Sequence, residues 1–514
     1  MTISQALNIS RESLNNYQQA LVVVSQNIAN MNVDGYIKLR ADFATNPVYN
    51  YGSSVEATVL GLNGAKISQI TSYANQQAAN GAREANCNLE YYSELSDLMS
   101  RLSGISDELG ENGLSADFSA FFSAAQNLSA NPTDPSARTL YIQSAQNVAD
   151  KFNYVAKSLD SLQEELVGNY NEPSTITSST LYTDITAFNS GLEQLAEINK
   201  QLLLAGGSGA TNSLINDREK LLNNLSNYAD FTVVQNPNGT INLAVGNTSL
   251  VAGAKQVAKL EAVTGDAETP AVIQIKAMND TVIYENVNSD VKGGKIGAIL
   301  DTVNTKEGFI SINAMRNEIN TLAATFADEV NGVQLYSNGD IKAMALGVDA
   351  NGNTILVEAK EPIFNIGNPP SASNISINKK VLDDVSLIAA ARVDTSAQDW
   401  EKNVGNSDNA IAFSQLRDKT TMATTGSSAM NTTFEGFLTF FSTTLGMQEQ
   451  DIAQKMSTAD AINQATQTEL QSLNGVNLDE ELSDMLKYQR GYEASARLFS
   501  VADEIYDILV NLGA

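Results

Sequence analysis

Histidine is absent from this 514-residue sequence, and cysteine occurs once, at Cys87. Zinc sites of His and Cys, Ser-His-Asp or Cys-His nucleophile systems and disulfide frameworks are therefore excluded. Cys87 itself reads as an inert small hydrophobe. Positive charge is scarce: 31 Lys and Arg face 59 Asp and Glu, a formal charge of −28, and there is no basic patch. Such a field repels phosphate and anionic lipid, which argues against nucleic-acid and membrane-surface binding. Long apolar runs are missing too. Leu21 to Val24 is too short for a membrane span or a signal-peptide core, and the first cation is only at Arg11. By these rules alone the chain reads as cytoplasmic. Its length suggests about three domains.

What the sequence does contain is two long amphipathic helices at its ends. At the C-terminus, Asn477 reads as an N-cap with Glu480 as its capping-box partner, and Asp479, Glu480 and Glu481 meet the positive end of the helix dipole. Leu498, Val501, Ile505, Ile508 and Leu512 then alternate steps of three and four, and Phe499, Ala502, Tyr506 and Leu509 run beside them as a second seam. A helix of about 50 Å with this much apolar girth needs a partner of similar length. The N-terminus offers one. After a possible Thr2–Gln5 capping box, Ile3, Leu7, Ser10, Leu14, Tyr17, Leu21, Val24 and Ile28 keep the same alternation. Two unrelated amphipathic helices would be the plainer explanation, but the length of both seams and their terminal positions favour a pair.

Between the ends, the first helix stops near Met31 before Asn32, Asp34 and Gly35, and residues 35–70 show no sustained period. Helical stripes follow at Tyr91, Leu95, Leu98 and Leu102 and at Phe152, Val155, Leu159, Leu162 and Leu166. Asn131-Pro132 turns the chain between them, and Asp134-Pro135 restarts it as an N-cap with Pro at the first helical position. Residues 172–179 read as a loop, 192–203 as helix, 206–209 as a flexible connector and 214–228 as helix again. The period then alternates in 231–234, 240–245, 271–276 and 281–284, which predicts strands. Ile312, Met315, Ile319, Leu322 and Phe326 return to helix; 338–377 is a second irregular patch; and 381–392, 410–422 and 434–473 read as helix. The fold class expected is mainly α with a β-rich insertion, long terminal coiled-coil helices and a flanking helical bundle.

Several fragments look chemical. Gly293-Gly294-Lys295 lacks the spacing and the hydroxyl of a phosphate loop and reads as a boundary turn. Asp349-Ala350-Asn351-Gly352-Asn353 lacks the alternating ligands and terminal Glu of a calcium loop and reads as a hairpin turn. Paired acids such as Asp383-Asp384 suit solvated faces, and so does the run Asp217-Arg218-Glu219-Lys220. No catalytic, cofactor or metal site is expected. The rival from another class is a secreted acidic hydrolase using carboxylates, which the lack of His does not forbid.

Two terminal stretches carry a resemblance. Ser25-Gln26-Asn27-Ile28-Ala29-Asn30 with Gly35 and Tyr36, and Asn477-Leu478-Asp479-Glu480-Glu481 with Tyr488-Gln489-Arg490-Gly491-Tyr492 and Ala502-Asp503-Glu504, resemble the N- and C-terminal signatures of the bacterial flagellar axial proteins, the rod, hook and hook-associated group. Val33-Asp34 departs from the Thr-Pro usual before the Gly. Residues 131–138, 216–222, 293–300 and 406–410 look like the interior of the hook-associated junction members. A hook or distal rod protein is the nearer alternative.

The resemblance implies an inner coiled-coil domain of residues 1–50 and 476–514, and an intermediate helical domain of 51–229, 294–337 and 378–475. It also implies a β-rich outer domain of 230–293 and a second small β-rich insertion at 338–377. It implies export through the flagellar secretion channel without a cleaved signal peptide, which reverses the cytoplasmic reading. The partners implied are copies of the chain in an axial ring, the hook protein, a second hook-associated junction protein and an export chaperone at the C-terminal helix. The function would then be binding, with Ile3, Leu7, Leu14, Tyr17, Leu21, Val24 and Ile28 and the Leu498–Leu512 stripe as the assembly seam. Both termini are expected to stay disordered until assembly.

Overall fold

A computed structural model describes residues 3–33, 36–50, 58–72, 75–110, 113–205, 210–304, 311–423 and 431–512. The chain is mainly α-helical with β-rich insertions, as its periodicities predict. The first helix, α1 (Ile3–Asn30), stops just ahead of the Asn32 turn. Thr2, Asp34, Gly35 and the side chain of Gln5 lie outside the described residues, as do the capping box and the Gly35 turn expected there. The arm read as irregular is instead an antiparallel ribbon of β1 (Leu39–Asn50) and β2 (Thr58–Ser72), with register shifts at Asp42/Phe43, Thr45/Pro47 and Val48/Tyr49. Each bulge moves the two-residue alternation to the other face, which hides the strands from a periodicity reading. Asn16 fixes the ribbon on α1: its Nδ2 donates to the Ala65 carbonyl at 2.6 Å and its Oδ1 accepts from the Ile67 amide at 3.2 Å.

The helical body begins with α2 (Gln76–Asp107), capped by the Asn75 side chain, followed by α3 (Leu114–Ala130) and α4 (Pro135–Val167). Asp134 accepts from the Ser136 amide at 2.9 Å with Pro135 opening the helix, so this start is built as read from the sequence. A 3-10 turn at Pro173–Ser178 leads to α5 (Thr180–Ala205) and α6 (Ala210–Leu225); the connector 206–209 lies outside the described residues. Two small antiparallel sheets come next. One orders β3 (Thr232–Gln235), β4 (Ile241–Val245), β5 (Thr248–Ala252) and β6 (Lys255–Gln256); the other orders β7 (Ala258–Thr264), β8 (Ala271–Ala277) and β9 (Val282–Tyr284). Strand β7 gives little sequence signal because Ala258 and Ala262 hold inward positions that larger apolar residues usually mark.

The helices α7 (Gly294–Val303) and α8 (Ile312–Gln334) precede the second patch, where β10 (Ser337–Asn338), β11 (Ile341–Val348) and β12 (Thr354–Glu358) form a meander and β13 (Phe364–Asn365) pairs with β14 (Ser376–Ile377). The helix expected over 381–392 is not there. Only α9 (Lys379–Asp383) is helical, a 3-10 turn follows at Val385–Leu387, and β15 (Ala391–Asp394) pairs with β11. Side chains from elsewhere claim the backbone groups a helix would use. Arg138 donates to the carbonyls of Val385, Ser386 and Ile388, while Gln334 bonds the Leu387 carbonyl and the Ala389 amide. The helix expected over 410–422 is likewise shorter: α10 (Asp408–Gln415) gives way to a 3-10 turn, and β16 (Met422–Ala423) pairs with β17 (Asn431–Thr432). The chain closes with α11 (Phe434–Asn474) and α12 (Leu478–Leu512).

The main core runs through the body and takes in the buried faces of both sheets, including Ile241, Leu243, Leu260 and Ile273. At its centre Phe326 lies 4.8 Å from Phe118, 5.2 Å from Phe121 and 5.4 Å from Phe434, ring centre to ring centre. A satellite core of Met344, Leu356, Ala391 and Val393 sits under Trp400. None of the buried apolar residues of α1, the ribbon or α12 belongs to either core.

Candidate assembly interface

The terminal helices pair with each other, though not through the Leu498–Leu512 stripe expected to form the seam. Asn27 faces Glu481 while Tyr17 faces Gly491, so α1 and α12 run antiparallel. Asn27 is 1 % exposed and uses its whole hydrogen-bonding capacity. Its Nδ2 donates to the Leu39 carbonyl at 2.9 Å and to Glu481 Oε2 at 3.1 Å, and its Oδ1 accepts from the Leu39 amide at 2.9 Å and the Tyr36 hydroxyl at 3.0 Å. One amide thus ties α1, the ribbon and α12 together. Ten residues along, Tyr17, Phe43 and Tyr488 form a ring cluster with centres 6.0–6.4 Å apart, one from each of the same three elements. Tyr17 lies so close to α12 that a β-carbon at position 491 would stand 2.6 Å from its ring, so any side chain there would displace the ring.

The helix start behaves partly as expected. Asn477 Oδ1 accepts from the Asp479 amide at 3.0 Å, whereas Glu480, expected to complete the box, reaches Lys38 Nζ at 3.4 Å. Glu481 is buried against Asn27, and that desolvation pushes its carboxyl above the usual range; the Asn27 bond and Lys38 oppose the shift, and Asp484 and Glu480 reinforce it. Asn474 joins this unit to the body: its carbonyl accepts from the Lys38 amide at 2.9 Å and its Oδ1 from the Asn75 amide at 2.8 Å.

The face of α12 that α1 covers differs from the expected one. Tyr488, Gly491, Ser495 and Ala502 turn toward α1, on the line of the second seam. Leu498, Val501, Ile505 and Ile508 remain 44–64 % exposed. Gly491, Ser495 and Ala502 are small, so the helix axes approach more closely than they could across the Leu-Val-Ile stripe. On α1, Val24 is buried and Leu7, Leu14, Tyr17, Leu21 and Ile28 are half-buried; the side chains of Ile3, Leu509 and Leu512 lie outside the described set. Phe43, Lys38 and Asn474 went unread, since single residues in a bulged ribbon and at a helix end leave no periodic signal.

The chemical-looking fragments resolve into structure. Gly293 and Gly294 both have positive φ, and the Lys295 and Ile296 amides donate to the carbonyls of Asn227 and Tyr228, which leaves those donors unavailable to a phosphate. Asp349 accepts from the amides of Asn351 and Asn353 in the hairpin joining β11 and β12. Cys87 is buried against Gly293, and burial pushes its thiol up to about 12, which keeps it unreactive. Arg218 and Glu219, read as solvated, are buried instead: Glu219 accepts from Arg83 at 2.9 Å and from Arg218 at 3.1 Å, and Arg218 also donates to the Gly239 carbonyl. Among the described residues no cluster of acids and Cys could hold a metal, and no helix is long and apolar enough to cross a membrane.

Comparison with known proteins places this architecture. The family of the flagellar hook-associated protein FlgK helical domain matches residues 99–354; that of the flagella basal body rod protein matches 7–36, and that of the flagellar basal body rod FlgEFG protein C-terminal matches 472–512. Flagellar hook-associated protein 1 of Bacillus subtilis is 26 % identical over 98 % of this chain and 97 % of its own. That of Salmonella typhimurium is 23 % identical over 99 % of this chain and all of its own. The chain belongs to the flagellar hook-associated protein 1 family.

The fold agrees: the flagellar hook junction protein FlgK from Burkholderia pseudomallei superposes with a TM-score of 0.52 at 16 % identity, over 76 % of this chain and 99 % of that one. The rod-type matches cover the two stretches that form the Asn27 hub. The interior stretches resembling the hook-associated members are joints of the body. Arg138 ends the first and, besides its three bonds to 385–388, donates to the Pro132 carbonyl at 2.8 Å. Arg218 and Glu219 lie in the second. In the last, Asn406 accepts from the Arg392 amide, and Asn409 bonds the carbonyls of Val333 and Ala389 and the Arg392 guanidinium.

Proposed function

We propose that copies of this chain form the ring joining hook to filament. The α1–α12 pair would line the axis with the β1–β2 ribbon packed on it, which moves the inner boundary from residue 50 to residue 72; residues 75–229, 294–337 and 378–475 would form the intermediate layer, and 230–293 with 338–377 would face outward. The observation that carries this reading is the Leu498–Ile508 stripe, left exposed beside a helix pair that is already docked. A contiguous apolar stripe on an acidic surface marks an interaction face. The partners proposed are other copies, the hook protein, a second hook-associated junction protein and, before export by the flagellar secretion apparatus, a chaperone reading the same spacing as a helix-in-groove ligand. The role is binding and not chemistry. In the free chain the terminal pair has few large buried apolar side chains to offset the cost of ordering, about 1–2 kcal/mol per residue, so its docking there is marginal and assembly completes it.

The experiment is complementation of a deletion strain with Ile505→Asp. The expected outcome is a folded, exported protein, hooks without a stable ring and no filaments. Immunogold labelling of wild-type protein along the rod or hook shaft would instead favour the hook or rod alternative.

A further inference from the structure

Between α1, the ribbon and the first half of α12 lies an open groove of about 900 Å³. Ala20, Val23, Val24, Ala41 and Phe43 line it, and Lys38, Arg40 and Lys487 stand on its edges with the acids Asp479, Glu480, Glu481 and Asp484. We propose that this groove receives the Leu498–Ile508 stripe of a second copy, so that the inner contact between subunits is groove to stripe and not stripe to stripe. The inference deepens the ring reading and rests on it.

Three observations favour this occupant. The stripe residues are exposed within one chain, and Phe43, at 40 % exposed, gives the groove an apolar contact above the buried Ala20, Val23, Val24 and Ala41. Both lie on the same helix pair, held by Asn27 and Tyr17, so a copy that offers its stripe also offers its groove. Charge supplies the third. Asp503, Glu504 and Asp507 interleave with the stripe, and packing two stripes together would oppose these acids. The groove instead presents Arg40 and Lys487, whose side chains are 66 % and 73 % exposed and are engaged by Asp42 at 3.1 Å and Asp484 at 3.9 Å. Groove-to-stripe pairing is head-to-tail, and repetition of such a contact closes a ring or propagates a helix, whereas stripe-to-stripe pairing stops at a dimer.

The test uses single cysteines in the full chain, the native Cys87 being buried and unreactive. Ser483→Cys places a thiol in the groove and Val501→Cys places one on the stripe, both at exposed positions. Isolated hook–filament structures are treated with a short bismaleimide. Junctions mixed from the two variants should give a cross-linked dimer, junctions of either variant alone none, and the double variant a ladder of higher species. Dimers from Val501→Cys alone would overturn the proposal in favour of stripe-to-stripe contact. An adduct of Val501→Cys with a different protein would assign the stripe elsewhere, and absence of the mixed dimer from labelled junctions would reject the groove. If immunolabelling finds no protein at the junction, the ring reading itself has failed.

Discussion

The body and the terminal pair are held together by different physics. Every one of the largest fully buried side chains, from Phe118 to Phe434, lies in the body, where rings interlock around Phe326. The terminal pair is joined by one saturated amide, three loosely clustered rings and a glycine contact, and it keeps an apolar stripe in solvent. The body thus carries the means to fold as a monomer. The terminal pair meets the body at Asn474, and in the proposed ring its exposed stripe would meet a partner.

That contrast can be broken in graded steps. Phe326→Ala should remove the centre of the body core and lower global stability by about 3–5 kcal/mol, read as a fall in melting temperature by calorimetry. A matched Tyr17→Ala should leave that transition in place; if both lower it equally, the cores are not separate. Arg138→Ala should come next, at about 2–3 kcal/mol, because carbonyls of Pro132, Val385, Ser386 and Ile388 lose one shared donor. Burial draws the Arg138 guanidinium down to about 10, still charged at neutral pH, so urea unfolding at pH 7 measures the bonded form. Gly491→Leu should push α12 off Tyr17 at a cost of about 1–3 kcal/mol confined to the ends. Proteolysis within α12 should accelerate while the melting temperature of the body stays put.

The smallest effect concerns Glu481. Its carboxyl titrates above the unfolded value, so docking of α12 takes up a proton. The gain is full below the ordinary carboxylate range and disappears as pH rises through the raised value. The protection factor of the α12 amides, the exchange rate divided into the intrinsic rate at the same pH, should therefore be higher near pH 4 than at pH 7. Glu481→Gln should flatten that dependence while keeping an acceptor for Asn27; an unchanged profile would place the dependence on another group.

Much of this was legible in residue order. The seams at Ile3–Ile28 and Leu498–Leu512 gave the terminal helices, Asp134-Pro135 gave a helix start to the residue, and the alternation in 240–245 and 271–276 gave strands. The ribbon was not legible, because its bulges break the alternation. Nor was the role of Asn27, although its motif carried the resemblance, since the signature names residues without saying what they bond.

Local chemistry determined where helices start, where they stop and which stripe each one carries, because caps, turns and periodicity act within a few residues. Three matters were left to tertiary structure. The 385–394 segment became turn and strand once Arg138 and Gln334 took its carbonyls. Arg218 and Glu219 were buried once Arg83 came within reach. And α12 turned its small-residue face to α1, leaving the larger stripe outside. Each depends on groups 53 or more residues apart or on how closely two backbones approach, and neither quantity is written in any local stretch of sequence.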